Sequence, residues 1–246
     1  MDDADLFQAA RFPTPTRPLL GLTVLVVEDS RFASDAMRLL CQRSGARIRR
    51  ADSLRSAERH LQVYRPSVII VDLGLPDGDG LSLIRTLDRS VPRISVILGS
   101  SGDDLAGDSC SQAGADGFLP KPVHSLSAFQ ELILSCLPSD RQPMGPRSIN
   151  SETIRPDPMA YKDDLAHVAD LLGDGTEDRP LDYVVQFLTG IARSAADMPL
   201  VAASEALSIS RMQGRGSRSD VARISGLLQE RLTDSIAIGS TTQRWI

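Results

Sequence analysis

The chain is expected to be an α/β protein: a small doubly wound five-stranded parallel sheet followed by a small all-helical domain. Three observations lead there. Between residues 22 and 137, short apolar runs alternate five times with segments of helical periodicity. Alternation through short connections implies parallel strands and right-handed crossovers, with helices on both faces. The strand candidates read as apolar throughout, as a sheet buried on both faces requires. Beyond residue 160 only helical patterns occur.

The elements follow in order. "LTVLVV" (22–27) is a β-branched run and the first strand. Ala33, Ala36, Met37 and Leu40 repeat at helical spacing, and Gly45 ends that helix. "ARIRRA" (46–51) is a second strand, and Leu54, Ala57 and Leu61 mark a second helix. "SVIIVD" (67–72) is the third strand, between Pro66 and a Gly/Pro turn; Leu81, Ile84 and Leu87 mark the third helix. "ISVILGS" (94–100) is the fourth strand, and the polar segment 102–113 a short, weak helix. "DGFLP" (116–120) and "SLSAFQELILSCL" (125–137) supply the fifth strand and helix.

Residues 138–160 hold five prolines and little apolar content, which marks a linker. Four helical patterns come after it. Leu165, Val168, Ala169 and Leu172 form one, ended by Gly173; Val184, Phe187, Leu188 and Ile191 form the next, with Pro180 at its start. A weaker one spans 199–212, and Val221, Ile224, Leu228, Leu232 and Ile236 form the last, with Ser217 and Asp220 resembling a capping box. The expected division is a flexible tail over 1–20, an α/β domain over 21–138, a linker over 139–160 and a helical module over 161–246.

Composition narrows the function. Apolar residues make up 41 %, enough for a packed core, and no apolar run approaches the roughly 20 residues of a membrane-spanning helix. The acidic, then proline-rich N-terminus lacks a secretory pattern, so a cytoplasmic location is expected. The net charge of −5 gives no overall reason to bind nucleic acid or anionic membrane. Cys41, Cys110 and Cys136 are isolated and read as small apolar residues. Of 27 basic residues only Lys121 and Lys162 are lysine, so a lysine position hints at a need for a compact ammonium.

The polar residues at the strand ends form one constellation. Glu28–Asp29 close the first strand, Asp72 the third and Ser100 the fourth; Lys121–Pro122 follow the fifth. In a doubly wound sheet the carboxyl ends of the strands share one edge, where sites form. Three converging carboxylates repel one another and need a cation. An all-oxygen donor set favours a hard ion, and a partly open site suits Mg²⁺. A hydroxyl and an ammonium beside them can hold the oxygens of a phosphoryl group.

With these motifs in this order, residues 22–138 resemble the receiver domain of two-component response regulators, a flavodoxin-like fold. The resemblance rests on Glu28–Asp29, on Asp72 with "LPDGDG", on Ser100, on Phe118 and on Lys121–Pro122. It implies that Asp72 is the phosphoacceptor, assisted by Lys121 and Ser100. It implies Mg²⁺ held by Glu28, Asp29, Asp72 and the Gly74 backbone carbonyl. Ser100 and Phe118 would be the switch pair, Pro76, Asp79 and Gly80 would shape the loop, and the Lys121–Pro122 peptide would be cis. The phosphoryl group would come from a sensor histidine kinase, a phosphotransfer protein or a small phosphodonor. The protein would be a signalling phosphoprotein rather than a dedicated enzyme.

Some positions depart from the common pattern. Gly74 and Gly102 leave the site open, which points to a short-lived phosphoryl group. The stretch from Ser100 to Lys121 is about one residue short, so an irregular fourth helix is expected. His60 and His124 read as ordinary polar residues. His167 lacks the nearby lysine of a phosphotransfer histidine. From residue 151 onward, 14 acidic residues face 10 basic ones, a balance of −4. DNA binding by the helical module therefore ranks below dimerisation or capture of a protein partner. Arg211, Arg215, Arg218 and Arg223 keep a DNA-binding regulator as the alternative.

Overall fold

The computed structural model describes residues 13–143, 150–173, 181–214 and 218–233. Two compact units divide the chain at Asp157/Pro158. The first is built on five parallel strands: β1 (Thr23–Val27), β2 (Arg47–Ala51), β3 (Val68–Asp72), β4 (Val96–Ser101) and β5 (Gly117–Pro120). Their order in the sheet is β2-β1-β3-β4-β5. Between them run α1 (Arg31–Ser44), α2 (Leu54–Val63), α3 (Gly80–Asp88) and α4 (Ala106–Gln112), and α5 (Leu126–Cys136) follows β5.

Strand side chains alternate between two cores. Val24, Val26, Val68, Ile70, Val96 and Leu98 pack with Met37 and Leu40 of α1 and Phe129 and Ile133 of α5. Leu25, Val27, Ile69, Val71 and Ile97 pack on the other face with Ala57 of α2 and Leu83, Ile84 and Leu87 of α3. The period of two that divides residues between faces thus gives each strand an unbroken apolar run. The exception is β2, where Arg47, Arg49 and Arg50 are exposed. It is an edge strand, and edges tolerate charge that the middle of a sheet does not. The expectation that every strand is apolar fails there for that reason.

Two further boundaries differ from expectation. Leu19 is fully buried in the first core and its N–H bonds the carbonyl of Ser44 at 2.9 Å. Packing therefore begins before residue 21, although residues 1–12 of the expected tail lie outside the described residues. The proline-rich segment also contributes to the core, through Ile154 at 4 % exposure. A buried aliphatic among prolines is invisible to composition.

The second unit contains α6 (Pro158–Gly173), α7 (Leu181–Ser194), α8 (Met198–Met212) and α9 (Arg218–Thr233). Leu165, Val168, Val184, Leu188, Leu200, Leu207, Ile224 and Leu228 form its core. Pro180, Ser217 and Ile236, expected at helix starts and in the last stripe, lie outside the described residues. No described helix is long and apolar enough to cross a membrane.

Candidate functional site

Every polar residue singled out at the strand ends lies at the carboxyl edge of the sheet. β1 runs out at Val27, and Glu28 continues its ladder by donating its N–H to Ala51 at 2.9 Å. Ser30 then caps α1, its hydroxyl accepting from the N–H of Ala33 at 3.0 Å. The acidic pair is thus pinned between a strand end and a capped helix. Asp72 is the last residue of β3 and pairs in register with Ser100 of β4. Lys121 follows β5 directly, its N–H donating to Ser101 at 2.8 Å, and the Lys121–Pro122 peptide is cis.

The side chains meet. The Lys121 ammonium lies 2.7 Å from Glu28 Oε2 and 2.9 Å from Asp72 Oδ2. Glu28 Oε1 accepts from the N–H of Ser30 at 3.2 Å, and Asp72 Oδ1 from the N–H of Gly74 at 3.3 Å. Glu28, Asp29 and Asp72 each place one carboxylate oxygen within 4.8 Å of the others. Glu28 and Asp72 are buried and Asp29 is half-buried.

Glu28 and Asp72 share the Lys121 ammonium, and the Asp29 carboxylate stands beside them. Burial pushes the Glu28 carboxyl up to about 8; Asp72 and Asp29 add to the rise and Lys121 opposes it. For Lys121, burial would lower the pKa, but Asp72 and Glu28 outweigh it and hold the ammonium charged well above its usual range. A group of close oxygen donors suits a small hard divalent cation. The residues present therefore fit Mg²⁺.

The loop after Asp72 explains its own residues. Gly74–Leu75 and Gly78–Asp79 form a two-residue hairpin around Pro76. The Asp79 carboxylate caps α3, accepting from the N–H of Leu81 at 2.9 Å. A Cβ on Gly80 would stand 2.1 Å from the carbonyl oxygen of Asp72, closer than any side chain allows. Gly80 is thus the residue that lets α3 start against the acceptor strand. Asp77 is a residue sequence reasoning missed. Its carboxylate accepts from the N–H groups of Leu54 and Arg55 at 2.8 and 3.0 Å, tying this loop to α2. Its only signal was an Asp-Gly pair in a turn.

Ser100 is 1 % exposed, and its hydroxyl donates to the carbonyl of Leu119 at 2.9 Å. Ser101 Oγ is instead engaged with the N–H of Asp103 at 3.1 Å. Phe118 pairs with Gly99 in register and is half-buried; a Cβ on Gly107 of α4 would lie 3.5 Å from its ring. α4 is an α-helix of only seven residues, short as expected, and its start has no side-chain cap. His60 and His167 lie elsewhere: His60 approaches the carbonyl of Arg50 at 3.1 Å, and His167 sits edge-on to Phe187. Among the described residues only Glu28, Asp29 and Asp72 form a group able to hold a metal.

The response regulator receiver domain model matches residues 24–133. The first unit is a receiver domain. Its similarity extends to named proteins. The virulence transcriptional regulatory protein PhoP of Salmonella typhimurium (strain LT2) is 37 % identical over 106 residues, 42 % of this chain and 46 % of that protein. The transcriptional regulatory protein PhoP of Escherichia coli O157:H7 is likewise 37 % identical over 106 residues, covering 42 % and 47 %. The chain thus spans about half the length of the curated relatives it matches. A crystal structure of a putative response regulator from Chloroflexus aurantiacus is 29 % identical, covering 46 % of this chain and 91 % of that one with a TM-score of 0.41. The helical unit lies outside the matched residues.

Proposed function

We propose that this protein is a cytoplasmic two-component response regulator whose receiver takes a phosphoryl group on Asp72. The observation that carries this is the pairing of the one lysine of the receiver with two of three clustered carboxylates, Glu28 and Asp72. A strand-end cap at position 72 would need no such partner.

In this reading an Asp72 oxygen attacks phosphorus in line. The new O–P bond forms as the N–P bond of a donor phosphohistidine breaks, and the imidazole leaves with the electron pair and takes a proton. Glu28, Asp29, Asp72 and the Gly74 carbonyl would hold Mg²⁺, which would neutralise charge on the phosphoryl oxygens. Lys121 leaves the Asp72 carboxylate for a phosphoryl oxygen, where a compact ammonium fits better than a guanidinium fork. Ser100 exchanges its bond to Leu119 for one to the phosphoryl group, and Phe118 follows inward against Gly107. Catalysis is positioning and charge neutralisation, as in other phosphoryl transfers. The donor is a sensor histidine kinase, a phosphotransfer protein or a small phosphodonor such as acetyl phosphate.

The helical unit serves as the output, through a homodimer or a protein partner. The named relatives are transcriptional regulators, which supports DNA binding as a second reading. They match over the receiver alone, and the helical part carries a balance of −4. Salt-dependent retention of the phosphorylated full chain on duplex DNA would support the second reading. Its absence, together with a phosphorylation-dependent change in oligomeric state or partner capture, would support the first. The phosphoacceptor itself is tested with acetyl phosphate and Mg²⁺: label should appear in the wild type and be absent from Asp72→Asn.

A further inference from the structure

Residues 150–157 belong to the first unit. They lie against its edge as a short antiparallel strap. The N–H of Ile154 donates to the carbonyl of His124 at 2.8 Å, and the N–H of Leu126 donates to the carbonyl of Glu152 at 3.2 Å. Ser125 and Thr153 form the bridge between these two bonds. Leu126 is the first residue of α5, so the strap satisfies one of the N–H groups a helix start leaves open. Ile154 is buried in the same core as Val123, Leu126 and Phe129. Two side chains of α1 also hold the strap: Arg43 pairs with Glu152 at 3.3 Å, and Asp35 accepts from the N–H of Asp157 at 3.0 Å.

The placement matters because Lys121 stands three residues before His124. On its other side Lys121 is fixed by its N–H bond to Ser101. The segment 121–126 is therefore gripped at one end by β4 and at the other by the strap. A shift of the Lys121 main chain that carries its ammonium from Glu28 and Asp72 toward a phosphoryl oxygen would pull on a six-residue span whose far end is bonded to Glu152 and Ile154. Asp157, the strap's last residue, immediately precedes α6.

We propose that residues 150–157 are a positioning strap: they set the place of Lys121 in the acceptor site and carry the phosphorylation state of Asp72 to the start of α6. This rests on Asp72 being the phosphoacceptor. An unoccupied acceptor keeps Lys121 on its carboxylates and the strap closed. A phosphorylated one draws the lysine over and loosens the 124–126/152–154 bridge. Ile154 and Asp35 are positioning residues; neither touches the reacting atoms.

The test uses the full chain. Amide hydrogen exchange at Ile154 and Leu126 is measured with Mg²⁺ alone and with Mg²⁺ plus beryllofluoride. The expected result is faster exchange at both amides on adding beryllofluoride, and no change in Asp72→Asn. In parallel, Ile154→Ala should slow acetyl phosphate labelling about tenfold at saturating Mg²⁺. Its half-maximal Mg²⁺ concentration should stay unchanged, because the carboxylates directly follow β1 and end β3, outside the strap. A general loosening of the fold would move both. Asp35→Ala, a change outside the core, should give the same split at about two- to threefold, and Asp35→Asn, whose remaining side-chain oxygen can still accept from the Asp157 N–H, should restore most of the labelling rate. If wild type is labelled yet the two amides do not respond and Asp35→Ala labels normally, the strap proposal is overturned and the acceptor assignment stands. If wild type takes no label, both fall together.

Discussion

Both units bury an acidic side chain beside a cation, yet the two sites are different objects. In the receiver, Glu28 shares Lys121 with Asp72 and stands near Asp29, and burial pushes its carboxyl up to about 8. In the helical unit, Asp197 holds Arg231 through both carboxylate oxygens, Nη2 at 2.8 Å from Oδ1 and Nε on Oδ2. Tyr161 adds its hydroxyl at 3.0 Å. Burial alone would raise Asp197, but the bonds from Arg231, the Leu200 N–H and Tyr161 outweigh it and hold this carboxyl below its usual range. In the first site two buried carboxylates share one ammonium; in the second one carboxylate holds one guanidinium. Clustered buried acids that share a cation mark a place for an added ion and for chemistry. A single acid whose acceptors are filled marks a clamp, here joining α6, the start of α8 and α9.

The largest effect should come from breaking the receiver side of this contrast. Lys121→Met should lower the rate of acetyl phosphate labelling by about 10²- to 10³-fold, the scale of losing one preorganised charge at a transition state. Measured the same way, Arg231→Met should leave labelling unchanged. It should instead destabilise the helical unit by about 2–3 kcal/mol in urea unfolding, because it strands a mostly buried carboxylate. Loss of labelling in Arg231→Met would dissolve the contrast between site and clamp.

Next in size is Gly80→Ala. The added Cβ meets the Asp72 carbonyl, so the receiver should lose about 1–3 kcal/mol through forced backbone movement, read as a lower unfolding midpoint. A smaller effect sharpens the clamp. Because the folded pKa of Asp197 lies below its unfolded value, its contribution is present above the ordinary carboxylate range and lost as pH falls through the folded value. Amide exchange in α8 should therefore quicken below about pH 4, and Asp197→Asn should flatten that dependence. The smallest change is Ser100→Ala. Labelling should slow only a few-fold, since the change removes one neutral hydrogen bond to the phosphoryl group rather than a charge, while the response of Phe118 to beryllofluoride, followed by NMR, should weaken.

The contrast also separates what the sequence reveals from what it hides. The receiver site was legible because parallel strands bring residues that follow apolar runs to one edge: position 28, 72, 100 or 121 needs only its strand to be found. The clamp was not legible. Tyr161 and Arg231 lie on separate helices and Asp197 caps a third, and no spacing rule connects residues 70 positions apart. Ile154 was hidden for another reason, since one aliphatic among five prolines cannot outweigh the composition around it. The exposure of the β2 arginines is hidden because an edge position is a property of strand order, which local pattern does not carry.

The central claim is that Asp72 is the residue the whole edge is arranged around. Incubating the full chain with Mg²⁺ and acetyl phosphate, then mapping the modified peptide by mass spectrometry, tests it most directly. The expected result is a single base-labile phosphoryl group on Asp72, formed only with Mg²⁺ and absent from Asp72→Asn. Label on another residue, or undiminished label in Asp72→Asn, would contradict the account.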